Sequence, residues 1–407
     1  MPITAADVEA AGTRLRDAGM RPIATHASPR LSESAGCELF CKLEYLHPTG
    51  SFKERGALNA LLVRRDEIDT GVIAASAGNH ALALANHGRA LGIAVTVVMP
   101  TTAPLVKIAT CRSFGAEVVL HGQTFGEARQ HANQLVQDRG LVYIHGFDDP
   151  AVIAGAGTVG LELLDEVPDL DAIVVPVGGG GLIAGIATIV HERRPTCRVI
   201  GVETEAAPTL TAALEADGPI NVETRPGIAD GLAIPRLGDN AWPACRDHVD
   251  HVVQVTESET ARAALNLLEV EKALVEGSGA TSLAAVMGPL RDELAGKKVA
   301  IVLCGGNIDV QVLGRIIERG LAADGRLCRL TCRVSDRAGS LSSLLTTIKQ
   351  AGASVKEVYH DRSFGPADVG RVDISLVLET HDKTHVAEVH EVLRRAGVDF
   401  WVPRVRR

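Results

Sequence analysis

Aromatic side chains are scarce in this 407-residue sequence, which has two tryptophans, three tyrosines and seven phenylalanines. Its cores must be built from Val, Ile, Leu and Ala, a composition suited to parallel strands covered by helices on both faces. Positive charge is also short. The formal net charge of −9 argues against a duplex nucleic-acid partner, because such binding needs Lys and Arg to neutralise phosphates. A small basic cluster, Arg404, Arg406 and Arg407, reads as a solvated terminus. The segment Ala172 to Val190 carries no charge and approaches the roughly 20 residues that span a bilayer. Pro176 and four consecutive glycines break it, however, so it reads as a buried strand, a tight loop and a helix, and no membrane partner is expected. Eight cysteines are too few for a disulfide framework in a chain this long, and no secretory signal is read ahead of them, so a cytoplasmic location is expected. The C-x3-C pairs Cys37/Cys41 and Cys328/Cys332 lack a nearby His or a second pair at zinc spacing, so no metal is assigned.

What is present is an α/β rhythm in a chain long enough for two or more domains. Strands are expected at Val72 to Ala75, Val95 to Met99 and Glu117 to Leu120, and helices near Ala81 to Leu91, Pro104 to Phe114 and Glu127 to Gln137. The pattern resumes with the strand Ile173 to Val177, the helix Leu182 to Glu192 and the strand Arg198 to Val202. A helix over Glu257 to Val270 and the strand Val299 to Leu303 follow. Strands alternating with helices imply βαβ units and parallel sheets, here two α/β subdomains with a cleft suited to a cofactor. After Gly320 the character changes. The polar stretch 322–326 reads as a linker, and 327–407 follows a βαββαβ order, a separate α+β domain.

Four segments carry chemistry. In Pro48-Thr49-Gly50-Ser51-Phe52-Lys53 a lysine sits in a turn that opens a helix. From this segment alone a surface charge stays open, but lysine amines are also the groups that hold pyridoxal phosphate. Ser76-Ala77-Gly78-Asn79-His80 lies between a strand and a helix, where backbone N–H groups can hold a carboxylate and Asn79 can donate to a phenolate-like oxygen. Gly178-Gly179-Gly180-Gly181 precedes a helix at Leu182, so backbone donors and the helix dipole can approach a phosphate closely. Leu303-Cys304-Gly305-Gly306-Asn307 ends a strand at the edge of a parallel sheet where ligands bind, although Cys304 can equally be a plain buried thiol. A fifth segment, Gly155 to Gly160, spells G-x-G-x-x-G. It follows Asp148-Asp149-Pro150, a helix-start signal rather than a strand, so the nicotinamide-binding reading is disfavoured.

Together, in this order and spacing, these segments resemble the fold type II pyridoxal-phosphate enzymes (tryptophan synthase β-like), and within them the threonine ammonia-lyases, or threonine dehydratases. The resemblance runs from about Thr13 to about Arg319. It implies a catalytic domain over 1–321, with a small subdomain at about 41–150 inserted in the large one, and pyridoxal 5'-phosphate as cofactor. It further implies Lys53 as Schiff-base lysine and general base, Phe52 packing on the pyridine face, and Asn79 donating to the phenolic oxygen. Gly178 to Gly181 with Leu182 become the phosphate cup, and Cys304 stands where the family more often has a serine against the pyridine nitrogen. Ser76, Ala77, Asn79 and His80 are expected to hold the substrate carboxylate, with Ser76 also catalytic, while Asp230, Gly231 and Glu276 line the site. The implied reaction is dehydration and deamination of L-threonine to 2-oxobutanoate and ammonia, with L-serine a second substrate.

Two alternatives are weighed against this. Serine racemase is a close relative, but racemases place a serine where Ala77 stands. A catalytically inactive amino-acid-binding protein belongs to a different class, and an intact Lys53, Asn79 and glycine cup speak against it. Some relatives hold a divalent cation near the position of Glu203. The stretch Glu203-Thr204-Glu205-Ala206-Ala207-Pro208-Thr209 has a threonine in place of the second carboxylate, so no metal is expected there.

Residues Leu327 to Trp401 resemble an ACT domain, an amino-acid-sensing module, through Asp336-Arg337-Ala338-Gly339-Ser340-Leu341 and Ala351-Gly352-Ala353-Ser354-Val355. Ala338 departs from the frequent proline. The resemblance implies allosteric control by isoleucine or valine, or a role in oligomerisation alone, within a homodimer or homotetramer.

Overall fold

The computed structural model describes residues 3–362 and 369–403, so the arginine cluster at the terminus lies outside the described residues. The chain divides into two compact units after Val310.

The first unit holds two sheets. The larger runs in the order Thr25–Ala27, Glu38–Lys42, Lys298–Val302, Ala172–Pro176, Arg198–Thr204, His251–Val255 and is parallel except for its first, edge strand. The smaller is wholly parallel in the order Glu117–Leu120, Val95–Met99, Val72–Ala75, Val142–Tyr143. The chain thus leaves the large sheet after Glu38–Lys42, builds the whole small sheet, and returns at Ala172–Pro176. Every residue of Val72–Ala75, Val95–Met99 and Ala172–Pro176 is buried, which explains why these strands read as unbroken apolar runs: helices cover both faces.

The G-x-G-x-x-G segment lies inside the helix Pro150–Glu166, capped by Asp149, whose carboxylate accepts from the Ala151 N–H at 2.8 Å. Its glycines serve packing. A Cβ on Gly155 would stand 2.6 Å from the Arg55 carbonyl oxygen, and one on Gly157 would stand 2.8 Å from that of Gly185. The helix is therefore pressed against both Lys53–Val63 and Gly181–Arg193.

Among the described residues the second unit has four antiparallel strands in the order Ser354–Asp361, Arg371–Glu379, Leu327–Ser335, Asp399–Trp401. The helices Ser340–Gln350 and Lys383–Arg395 pack on each other, and Leu330, Ile374, Leu376, Leu344, Val389 and Leu393 form its core. The 322–326 stretch is not a free linker. Ala322 and Ala323 end the helix Val310–Ala323, and Gly325 turns at φ +76° into the first strand. Thr380 then ties the turn down, its hydroxyl donating to the Gly325 carbonyl at 2.6 Å. Polar composition suggested a spacer, but two alanines extend a helix readily.

All eight cysteines are free thiols, and seven are buried. Among the described residues no group of His, Cys, Asp and Glu is arranged to hold a metal ion, and no helix is long and apolar enough to cross a membrane. The Glu203 carboxylate is spent on a helix start: it accepts from the N–H groups of Leu210 and Thr211 and the hydroxyl of Thr211.

Candidate active site

Lys53 is the first residue of the helix Lys53–Val63. The loop before it turns at Gly50, φ +78°. It is then pinned to the end of the strand Lys298–Val302: Ser51 bridges Gly305, and the Phe52 N–H donates to the Cys304 carbonyl at 3.0 Å. Held so, the lysine amine points inward. Its Nζ donates to the Gly146 carbonyl at 2.6 Å and stands 4.9 Å from the centre of the Phe52 ring. The next two side chains anchor the helix elsewhere. Glu54 accepts from the Thr49 N–H at 2.6 Å, and the buried Arg55 guanidinium grips both Glu44 and Glu162.

Burial lowers the Lys53 ammonium to about 8, although nearby Cys304 and Glu276 act the other way. Desolvation penalises the charged form, so a large neutral fraction is available near pH 8. Acylation of this lysine in the cofactor-free chain, followed peptide by peptide with mass spectrometry, is expected to rise with a midpoint near 8. A midpoint near the 10.5 of an ordinary lysine would contradict the burial described here.

Asn79 opens the helix Asn79–Leu91, and its Nδ2 donates to Glu276 Oε1 at 2.9 Å. Glu276 is buried and raised to about 7, first by desolvation and then by Asp230, against the pull of Lys107 and its hydrogen-bond donors. The Cys304 thiol is pushed up by burial and then by Glu276, so it stays protonated. Amine, carboxyl and thiol therefore share one buried pocket of perturbed groups, the usual mark of a functional site.

The glycine run follows the strand Ala172–Pro176 and opens the helix Gly181–Arg193. Gly180 has φ +88°, a conformation costly for any residue with a Cβ. A Cβ on Gly179 would fall 2.3 Å from the Phe147 ring, and one on Gly181 would fall 2.3 Å from the Phe147 carbonyl oxygen. The run is held from outside. The Thr209 hydroxyl donates to the Gly178 carbonyl at 2.9 Å, and the Gly238 N–H donates to that of Gly179 at 3.0 Å. Its own N–H groups lie at the start of the helix, where first-turn donors have no intrahelical acceptor. Gly146, the acceptor for Lys53, immediately precedes Phe147, so amine and glycine run meet at one short segment.

A family model described as pyridoxal-phosphate dependent enzyme matches residues 17–305. The chain belongs to that family. This pyridoxal-phosphate enzyme is 43% identical over 398 residues to an L-threonine ammonia-lyase of Thermotoga maritima, covering 98% of each chain. It resembles the processed form of threonine deaminase isoform 2 from Solanum lycopersicum at TM-score 0.73 and 33% identity, covering 78% of this chain and 90% of that one. It also resembles serine racemase from Dictyostelium discoideum at TM-score 0.71 and 34% identity, covering 76% and 99%. The pocket fits such a cofactor. Its glycine cradle leaves no room for Cβ atoms, and buried polar atoms without a protein partner, Thr49 Oγ1, Ser51 Oγ and Ser278 Oγ, sit on the segments that meet there.

On the remaining side of this pyridoxal-phosphate enzyme's pocket, Ser76 and Ala77 are partly exposed, and Ser76 Oγ accepts from the Gly78 N–H at 3.2 Å. The His80 side chain turns inward. Its Nε2 pairs with the Ile144 carbonyl at 3.1 Å, and burial, then Lys53, lowers it to about 3. A neutral ring so committed leaves the backbone N–H as the group His80 presents at the helix start. Asp230 is exposed, 3.9 Å from Lys107 Nζ. Gly231 lies against Ser278: a Cβ there would stand 2.7 Å from its hydroxyl. Sequence reasoning missed Gly146, Phe147, Ser278, Lys107 and the Asn307 side chain. Lys107 stood inside the expected helix Pro104 to Phe114 with nothing to mark it, and Asn307 stood inside a segment read for chemistry, where its G-G-N setting is the signal available.

Proposed function

We propose that this pyridoxal-phosphate enzyme dehydrates and deaminates L-threonine to 2-oxobutanoate and ammonia, with L-serine as a second substrate giving pyruvate. The observation that carries the reading is the buried Lys53 amine, bound at 2.6 Å to Gly146 beside the glycine cradle and lowered to about 8. The named threonine enzymes among its relatives support it. When bound, pyridoxal phosphate supplies an aldehyde that condenses with amines and a conjugated ring that delocalises the electron pair left by α-proton loss.

The chain's own residues do the rest. Gly178 to Gly181 and Leu182 would hold the phosphate through backbone N–H groups, each charge-assisted bond contributing on the order of 1.5–3 kcal/mol. Phe52 would pack on the ring, and the second N–H of the Asn79 amide would donate to the ring oxygen. The N–H groups at the start of the Asn79 helix, with Ser76, hold the substrate carboxylate. Lys53 Nζ takes the α-proton, its neutral fraction near pH 8 matching the task of a general base. Cys304 Sγ–H is a weak donor, so the ring nitrogen stays less electron-withdrawing. That suits elimination, in which the α-electron pair becomes the Cα–Cβ double bond as the Cβ–O bond breaks and the β-hydroxyl leaves as water with the proton Lys53 has taken, and Ala77 offers no group to return a proton from the opposite face as racemisation requires.

The second unit is read as an ACT-like regulatory domain. An open surface depression of about 470 Å³ lies at the start of the helix Ser340–Gln350, with Ser335, Arg337, Gly339, Ser340, Thr347 and Val398 among its lining residues. Arg337 is suited to an amino-acid carboxylate, and Gly339, φ +92°, opens the turn beside it. Isoleucine or valine is the expected effector of a homodimer or homotetramer, and control requires that it bind two enzyme states with different affinity.

One assay tests both parts: 2-oxo acid formation from L-threonine and L-serine, with and without isoleucine or valine. The expected result is faster turnover of threonine and a shifted response with an effector present. Absence of 2-oxo acid from both substrates sinks the catalytic reading, while rates indifferent to both effectors sink the regulatory one alone.

A further inference from the structure

Asn307 makes more connections than any role given to it so far requires. Its side-chain Nδ2 donates to the Thr49 carbonyl at 2.6 Å and to Asn79 Oδ1 at 3.0 Å. Its backbone N–H lies near the Glu276 carboxyl and favours that group's charged form. It also packs into the turn before Lys53, for a Cβ on Gly50 would stand 2.5 Å from its Oδ1. The N–H of the residue before it, Gly306, donates to the Gly50 carbonyl at 2.9 Å. The lysine loop, the Asn79 helix start and Glu276 therefore converge on one amide.

The direction of these bonds matters. An asparagine amide can turn end for end, exchanging a donor for an acceptor with little change of shape. The Thr49 carbonyl cannot, since a backbone oxygen only accepts. At 2.6 Å it must face the Asn307 nitrogen, because the reverse orientation would set two acceptors against each other. With its nitrogen fixed, Asn307 dictates the next amide: Asn79 must turn Oδ1 toward it. Asn79 Nδ2 then faces Glu276, with one N–H on Oε1 and the other left to donate.

We propose that Asn307 is a positioning residue that fixes Asn79 in its donor orientation toward the cofactor, reading that orientation from the backbone of the loop that carries Lys53. The inference rests on the assignment of Asn79 as donor to the ring oxygen. Without Asn307, Asn79 keeps only Glu276, a carboxyl that accepts from Nδ2 when ionised and donates to Oδ1 when protonated, so the amide is no longer fixed and can present Oδ1, which repels an anionic oxygen.

The test is a double-mutant cycle between Asn79→Ala and Asn307→Ala in the full-length holoenzyme, reading the pH titration of the bound cofactor's visible absorbance band. A donor favours the unprotonated oxygen, so its loss raises the proton affinity. Asn79→Ala and Asn307→Ala are each expected to move the midpoint upward by about one pH unit, a tenfold change, and to weaken cofactor binding in equilibrium dialysis about tenfold. In the Asn79→Ala background, Asn307→Ala is expected to add nothing to the titration. An unmoved midpoint in Asn307→Ala, or an equal added shift in the double variant, overturns the proposal. An unmoved midpoint in Asn79→Ala overturns the assignment of Asn79 itself and the proposal with it. Should Asn307→Ala not fold, Asn307→Asp runs through the same cycle, where the Asn79→Ala background subtracts the effect of its added charge.

Discussion

Replacing Lys53 with alanine is expected to lower turnover of L-threonine on the order of 10⁴-fold while leaving a folded protein. Two functions leave with one nitrogen: the covalent hold on the cofactor and the base that takes the α-proton, each a large contribution to rate. The fold has little reason to suffer, since Arg55 carries the ion pairs that seat this helix and Glu54 accepts from the Thr49 N–H, and Lys53 contributes a hydrogen bond to Gly146. Removing a desolvated amine also lifts a burial penalty, which partly offsets the space left behind. The measurements are steady-state 2-oxo acid production and mass spectrometry after borohydride reduction, which traps cofactor on the wild-type chain at Lys53. Residual activity within tenfold of wild type, or trapping at another lysine, would remove the foundation of the mechanism.

Gly181→Ala is expected to weaken pyridoxal 5'-phosphate binding about 10³-fold, roughly 4 kcal/mol. The added Cβ would fall 2.3 Å from the carbonyl oxygen of Phe147. A flexible side chain could move aside, but a backbone carbonyl takes its segment with it. That segment includes Gly146, the partner of the Lys53 amine. Overpacking of about 1–3 kcal/mol and the loss of at least one charge-assisted phosphate bond of about 1.5–3 kcal/mol then act together. Equilibrium dialysis and the visible band report the affinity, and thermal unfolding of the cofactor-free chain reports whether the fold survives. Near-normal affinity in a folded variant would show that the phosphate does not rest on this turn.

The parts of this protein legible in its sequence are those whose causes are local. Val72–Ala75, Val95–Met99 and Ala172–Pro176 announce themselves because strands buried on both faces are continuous runs of apolar residues. The glycine cradle and the lysine turn are legible for the same reason, as each is a short segment with its own stereochemistry. Edge pieces are not: Thr25–Ala27 and Val142–Tyr143 are strands only because a distant partner offers them hydrogen bonds. The helix expected to continue to Val270 instead ends as a regular helix at Asn266 and passes through a wider turn at Leu267–Glu271, closed by Lys272 at φ +58°. Apolar periodicity carries no sign of that change. The placing of the His80 ring against the Ile144 carbonyl is not legible either, because a sequence does not say which face of a helix start meets a neighbouring strand. Asn307 needed three segments to be brought together before its amide had anything to do.

The glycines of Pro150–Glu166 carry a last consequence. With Gly155 against the backbone of the Lys53 helix and Gly157 against Gly185 in the helix behind the cradle, that element works as a shim of fixed thickness. The span between the reactive nitrogen and the anion seat is thus set by the absence of methyl groups at two positions remote from both. Thickening the shim by one carbon would leave every contacting residue of the pocket intact in identity and still push its two halves out of reach of a single small molecule.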